Sequence, residues 1–445
     1  MRRMLVLAVT SVALVACSIA EPLHAQRADS ARVREEIEKR TIVVLPKVVA
    51  WRRDIHQHPE LSYQEMRTAK LVADHLRALG LEVRAGLGGN GVVGVLKGGR
   101  PGGVVALRAD MDALPVTELV DVPFRSAVRT TYNGQDVGVM HACGHDVHTA
   151  MLMGAAEVLA GMKAQITGTV LFLFQPAEEQ PPHGGAEGMI ADGAVSNPVP
   201  EAVFALHTSV RPVGGLYVTS GPALAAGDNF RIVIRGKQSG GSNPWGGKDP
   251  LVVGAQVLLG IQTIVSRQVD LTTAPAVISV GAFNGGVREN IIPDSAVIIG
   301  TIRTFDEAMR RDIHARLKQT AEGIAASAGL TADVTVIVGY PVTVTDPALL
   351  VRMRPALQRA AGAPNVQDVP WIMAGEDFTR FAIAAKAPSM MVSFGVTPRD
   401  QDWHKAGPNH SPQFNPTEES LPIGVRAYSL LAVDFLAGAN NGIIP

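Results

Sequence analysis

Cysteine is almost missing from this sequence: among 445 residues there are two, Cys17 and Cys143. A framework of several disulfides is therefore excluded as the source of stability. An excess of charge of one sign is missing as well. Lysine and arginine number 40 against 41 aspartates and glutamates, a formal net charge of −1. That balance gives no general attraction to nucleic acid or to acidic surfaces, and no run of like charges forms an interaction tail. No apolar run is long enough to cross a membrane as a mature helix. The N-terminal run, Leu5 to Ala16, falls short. Internal repeats and low-complexity segments are absent too.

What is present at the N-terminus is a processing signal. Arg2 and Arg3 precede the apolar run, and Leu23-His24-Ala25 ends in a small residue. The expected signal peptide is 1–25, leaving an exported chain, periplasmic or secreted. Alternatively, Leu14-Val15-Ala16-Cys17 reads as a lipoprotein box that anchors the chain through lipid on Cys17. Cleavage after Ala25 leaves Cys143 as the only thiol, which cannot form an intrachain disulfide; metal ligation gives it a role. The length implies two domains, and 47% hydrophobic with 18% charged residues is an ordinary globular balance.

One stretch concentrates chemistry: His141-Ala142-Cys143-Gly144-His145-Asp146-Val147-His148. Around it, strands alternate with helices. A helix is expected from Ser30 to about Gln57, disturbed at Pro46, with His56, His58 and Glu60 as surface residues at its end. A second helix is expected over Ser62 to Leu79, capped by Ser62 with Glu65 in a capping box. Short buried-type strands lead into polar residues three times: Val104 to Leu107 into Asp110 and Asp112, Val170 to Phe174 into Glu178-Glu179, and Ala202 to Leu206 into His207. A helix from Val147 to Met162, capped by Asp146, lies between the first two. This alternation implies an α/β sheet with its ligands beyond the carboxyl ends of the strands. From residue 222 the pattern becomes β-loop-α-β-β-α-β, a ferredoxin-like inserted domain over 222–338. The first pattern then resumes, with a helix at Pro347 to Ala361, a strand at Pro388 to Phe394 and a helix at Leu421 to Ala437. The parts are thus 30–221 and 339–445 for one domain and 222–338 for the insertion.

Cys143, His145, Glu179, His207 and His410 have the chemistry of a divalent metal pair, suited to zinc, cobalt, nickel or manganese. Adjacent carboxylates at a strand end repel unless neutralised. One of Glu178 and Glu179 can bind metal while the other takes a proton from a water that the metals acidify. Asp110 and Asp112, two positions apart, either face the metals together or, for Asp112, hold a ligand imidazole. His148 is a support or a ligand, His141 a weaker candidate, and His183 a surface loop residue. Phe283 and Trp245 are either acyl-pocket walls or packing.

The motifs RRDIHQHPELSYQE, ALRADMDALPVTE, HACGHDVHTAMLMGAA, LFLFQPAEE, ALH, NIIPD, GTIRTF, MAGEDF and NHSPQF follow one another in this order. In this the chain resembles the metal-dependent amidohydrolases related to hippurate hydrolase, N-acyl-amino-acid amidohydrolases and auxin-conjugate hydrolases, and more distantly carboxypeptidases and aminoacylases. The resemblance spans about residues 50 to 436. It implies an α/β catalytic domain with an inserted α+β lid that also dimerises, and two divalent ions held by Cys143, His145, Glu179, His207 and His410, with Cys143 bridging or near both. It implies Glu178 as general base and then acid, Asp112 as the residue orienting the site, and Asp110 where distant relatives have a metal-binding histidine. Asn290 and Arg303 would meet the substrate carboxylate or the tetrahedral intermediate, and Glu376 and Asp377 lie in a motif near the site. Asp110, His148 and Gly240 are further candidates for contact with substrate.

One departure stands out. The family usually carries a lid histidine that reaches across the dimer to the oxyanion, and here Gly240 takes its place. Loss of one such donor costs about 3 kcal/mol of transition-state stabilisation; Asn243 or a backbone amide is the available substitute. The expectation is hydrolysis of an N-acyl amino acid or small dipeptide-like amide by a homodimer or larger homo-oligomer, without nucleic acid or membrane span. The rivals are a metallo-aminopeptidase or carboxypeptidase, and a metal-binding homologue impaired by Gly240.

Overall fold

A computed structural model describes residues 32–439. The expected signal peptide at 1–25 and Cys17 lie outside the described residues. The centre is an eight-stranded sheet. Four neighbouring strands, Thr167–Gln175, Arg100–Asp110, Ala202–Pro212 and Ser389–Thr397, run parallel. Their carboxyl ends therefore share one edge. Their centres (Val105 to Leu107, Val170 to Phe174, Ala202 to Leu206, Met390 to Val392) read as continuous apolar runs and are buried, as strands covered on both faces require. Glu82–Leu87 and Gly91–Lys97 extend the sheet on one side, Leu216–Val218 and Val366–Asp368 on the other.

Helices cover both faces. The helix 32–57 and the helices His145–Gly161, Pro347–Ala361 and Leu421–Ala439 pack on one, around Met151, Leu152, Phe204 and Tyr428. Gly184–Ala191 and Thr379–Ala385 pack on the other, around Leu171, Leu173, Met189 and Phe381. Each large buried side chain of this kind contributes about 1.5–3 kcal/mol.

A second sheet, in the order Ala276–Gly285, Ser295–Thr304, Ala226–Arg235, Thr331–Tyr340, is antiparallel throughout and has its own core of Phe230, Ile232, Ile234, Val257 and Leu317. With Pro250–Thr263 and Glu307–Ser327 it follows the expected β-loop-α-β-β-α-β order. Asp249 accepts from Leu251 N and Val252 N, with Pro250 in the first turn, and Asp306 accepts from Met309 N. The chain enters this unit past Gly221–Leu224 and leaves it through Thr343–Thr345, and these two short strands pair.

Asp228 anchors the second sheet. It is buried; Oδ1 accepts from Arg310 Nη2 at 2.5 Å and Gly339 N at 2.8 Å, and Oδ2 from Arg310 Nε at 2.9 Å and His314 Nε2 at 2.6 Å. Burial alone would raise its pKa, but these donors outweigh it and hold the carboxyl below its ordinary range. A depressed folded pKa stabilises above the unfolded value and is lost as pH falls towards the folded one. Asp228→Asn is expected to cost about 3 kcal/mol at pH 7. Its deficit relative to wild type in urea unfolding should shrink below pH ~4, the unfolded range; a deficit constant with pH would refute this.

Several local expectations are corrected. The first helix runs unbroken through Pro46, whose ring is exposed while Val44 and Val48 pack inward. The second helix is Met66–Ala78, and neither Ser62 nor Glu65 caps it. Glu60 does so instead, accepting from Arg67 N and Thr68 N at 2.9 Å. The helix after Cys143 starts at His145 behind Gly144, whose φ of 88° places it in the left-handed region. Asp146 is thus no cap; it pairs with Arg52 at 3.0 Å and His56 at 2.9 Å. His56, expected at the surface, is buried between Asp146 and Glu118. The sequence also showed no second run long enough for a membrane span. Yet Pro250–Gln268 and Glu418–Gly438 pass on length and mean hydropathy, 1.3 each; 61% of the second is buried inside the molecule.

Candidate metal centre

At the carboxyl edge of the parallel strands, five candidate ligands meet. Cys143 Sγ lies 3.5 Å from His207 Nε2 and 3.3 Å from His410 Nε2, and His410 Nε2 lies 3.0 Å from Glu179 Oε1. Two of several overlapping groups are Cys143, His145 and His207, and Cys143, Glu179 and His410, the ligand atoms of each lying within 4.8 Å of one another. Cys143 is common to both. His410 reaches the cluster from far along the chain, its N–H bonded to Ala142 O at 2.8 Å and its φ at 67°.

Two of the imidazoles are aimed by the bond that the other ring nitrogen makes. His145 Nδ1 meets Asp112 Oδ1 at 3.2 Å and His207 Nδ1 meets Thr208 O at 2.8 Å. That leaves each Nε2 facing the cluster. His145 Nε2 is buried with no hydrogen-bond partner. A buried, unpaired imidazole nitrogen beside a thiol fits a site built for cations.

The electrostatics agree. Burial opposes the Cys143 thiolate, but His207 and His145 outweigh it and hold the thiol well below its ordinary range. Burial likewise opposes the His207 cation, but Cys143 pushes its pKa up to about 9. Hydrogen bonds with Cys143 and Glu179 push His410 up to about 10. Burial, then Cys143, pushes Glu179 up to about 7. Burial, then Glu376 and Glu179, raises Glu178 well above the carboxylate range.

Asp112 ties these parts together. Besides His145, it accepts from Ser62 Oγ at 2.6 Å, Glu178 N at 3.1 Å and Glu179 N at 2.9 Å. The backbone of the Glu178 loop has two more fixings. Ala177, at φ 52°, donates its N–H to Glu65 Oε1 at 2.8 Å, and Tyr340 Oη, at the end of the second sheet, donates to Glu178 O at 2.5 Å.

Asp110 and His148 lie behind the cluster rather than on the cavity wall. Both are fully buried. His148 Nδ1 donates to Asp110 Oδ1 at 2.6 Å, and its Nε2 accepts from Thr208 N at 2.8 Å. Neither ring nitrogen is left for a metal or a ligand, and burial pushes His148 down to about 4, the neutral form. The second oxygen of Asp110 meets Arg108 at 2.7 Å.

Arg108 is what the sequence did not disclose. Fully buried, it faces Asp110, Glu376 at 2.9 Å and Asp377 at 3.2 Å, and donates to Gln175 at 2.8 Å. Asp377 also accepts from Gln175 Nε2 at 2.7 Å and Ala186 N at 3.0 Å. The MAGEDF segment is thereby bound to the floor of the site. The one available signal was an arginine inside an otherwise apolar strand.

A cavity of about 580 Å³ opens from the cluster, lined by Cys143, Glu178, Glu179, His207 and His410, and also by Arg303 and Glu376. Asn290, Gly240, Trp245 and Phe283 do not line it. Asn290 and Gly240 lie on an exposed ribbon where Ser239–Gly240 pairs with Ile291–Ile292. Trp245 is 82% exposed, and Phe283 packs against the second core. His183 is exposed beside Glu187.

The family described as Peptidase family M20/M25/M40 matches residues 106–434. The chain belongs to this family. Among its relatives, "Thermostable carboxypeptidase 2" of Saccharolobus solfataricus is 41% identical over 391 residues, 87% of this chain and 95% of the relative. "N-acyl-L-amino acid amidohydrolase" of Geobacillus stearothermophilus is 40% identical over 308 residues, 69% and 80% of the two chains. The solved structure of the Bacillus subtilis YXEP protein, a dinuclear metal binding peptidase from the M20 family, superposes with a TM-score of 0.72 at 34% identity, covering 88% of this chain and 99% of that one. As an M20 member, this chain is a metal-dependent amidohydrolase or peptidase of the dinuclear kind.

Proposed function

We propose that this M20 enzyme hydrolyses the amide of N-acyl amino acids, or of small dipeptide-like amides, to a carboxylic acid and an amino acid. The observation that carries this is the adjacency of Glu178 and Glu179 on the cavity wall: Glu179 meets His410 at 3.0 Å in the ligand cluster, and Glu178 stands beside it. Two divalent ions (zinc, manganese, cobalt or nickel), held by Cys143, His145, Glu179, His207 and His410, would polarise the carbonyl and acidify water. The chain's own groups do the rest. Glu178, kept basic enough by burial and its acidic neighbours, takes the proton of the attacking water and passes it to the leaving nitrogen. Asp112 fixes His145 and the base-bearing loop relative to each other. Arg303 on the cavity wall takes the carboxylate of the amino acid. Asn290 and Gly240 do not line this cavity and would reach substrate only across a homodimer. Export, with a mature start at Gln26 or a lipidated Cys17, belongs to the same proposal and is read by N-terminal sequencing.

Chelation is expected to abolish turnover of N-acyl amino acids and dipeptides, and re-addition of one of the four metals to restore it. Substrates with an amidated α-carboxyl should be poor. Undiminished rates after chelation, or indifference to the α-carboxylate, would count against the proposal. Gly240 favours a second reading, an impaired homologue. Nothing lies within 4 Å of a Cβ built there, so Gly240→His fits sterically. Turnover by the metal-restored wild type rejects that reading; turnover only in Gly240→His supports it.

A further inference from the structure

One end of the cavity has no part in the amide chemistry. Tyr217 pairs with Ser393, and Ser393 pairs with His207. Tyr217 therefore stands two inter-strand spacings, about 10 Å, from the His207 level. Arg211 also lines the cavity. Its guanidinium lies 4.8 Å from the Tyr217 ring centroid and 5.4 Å from that of Trp403. These aromatic faces hold the group in place.

Its charge, however, is unanswered. Among the described residues no carboxylate hydrogen-bonds to or pairs with Arg211, and Asp402, one residue before Trp403, is paired with Lys405 at 3.4 Å. Arg399 adds a second positive charge near Tyr217. The cavity walls also include the apolar Ala223, Leu224, Ile372 and Met391. Arg303, on the second sheet beside Gly227, is a separate cation. A planar guanidinium, held by stacking and lacking an acidic partner, is matched to a carboxylate that it binds through two N–H donors.

We propose that Arg211, with Tyr217 and Trp403, forms an acyl-end subsite selecting acyl chains that terminate in a carboxylate. The substrates are then half-amides of dicarboxylic acids with amino acids. This rests on the amide-hydrolysis reading above. The oxygen of water bonds to the acyl carbon, the C–N bond breaks, the nitrogen gains a proton, and a free dicarboxylate and an amino acid leave. Arg303 holds the amino-acid carboxylate, the apolar walls take the methylenes, and Arg211 takes the far carboxylate.

The test compares N-glutaryl and N-pentanoyl derivatives of one amino acid on the metal-loaded full chain. The wild type should favour the glutaryl compound in kcat/KM by on the order of 10- to 100-fold. Arg211→Gln should bring that ratio near one, and Arg211→Lys should keep part of it. Both substrates are read on the same preparation, so partial misfolding cancels in the ratio. A wild-type ratio near one, or a preference that Arg211→Gln retains, overturns the subsite. If neither compound is cleaved, calorimetric binding decides. Tighter glutaryl binding that is lost in Arg211→Gln upholds the subsite while the amide reading falls; equal binding of both compounds sinks the subsite.

Discussion

Glu178→Gln is expected to lower kcat by on the order of 10³-fold while metal content and KM stay near wild type. The amide keeps the shape of the side chain and removes its basicity. Glu179, not Glu178, lies 3.0 Å from His410 in the cluster, so ligation should survive. The Glu178 backbone bonds to Asp112 and Tyr340 do not involve its carboxylate, so the loop should hold. Steady-state kinetics paired with metal analysis checks this. A variant with wild-type kcat removes Glu178 as the base, and one that loses metal makes it a ligand.

Arg108→Met should have the largest effect on stability. Arg108 is the cation facing Asp110, Glu376 and Asp377, all buried with it. Methionine fills similar space and leaves three carboxylates with their mutual repulsion, which costs about 3–5 kcal/mol when the partner of a buried ion pair is removed. Activity should fall too, because Asp110 orients His148, and His148 in turn accepts from Thr208 N beside His207. The double variant Arg108→Met/Glu376→Gln should recover part of the loss, since neighbouring charges do not add independently. Denaturant midpoints of the wild type, Arg108→Met, Glu376→Gln and the double variant decide it; an Arg108→Met loss below about 1 kcal/mol would show that the network contributes little.

How much was legible in the sequence follows from what each residue interacts with. The parallel strands were legible because a strand buried on both faces must be apolar throughout, as Val170 to Phe174 is. Strand ends then had to share an edge, which brings Glu179 and His207 to the sequence-local Cys143 and His145. His410 was legible as a possible ligand by its chemistry, but no strand end placed it in the cluster; the resemblance did. Partners set by three-dimensional contact were not legible. Ser62 read as a helix cap, yet its hydroxyl found Asp112; the Glu60 carboxylate accepts from the first-turn N–H groups of Arg67 and Thr68 instead. Asp110 looked like a ligand because it ends a strand, but the helix that begins at His145 brings His148 onto it first. His56 read as a surface residue because nothing local revealed Asp146 and Glu118 across the chain. Arg211 gave no sign, since the aromatic faces that hold it come from other segments.

The four bonds on Asp112 have a dynamic consequence. Its two oxygens fix the His145 ring and the backbone of both Glu178 and Glu179. A displacement of Asp112 would therefore carry the His145 imidazole and the Glu178 loop together. Their absolute positions would shift while the spacing between them was kept, and spacing is what proton transfer by the proposed base would require.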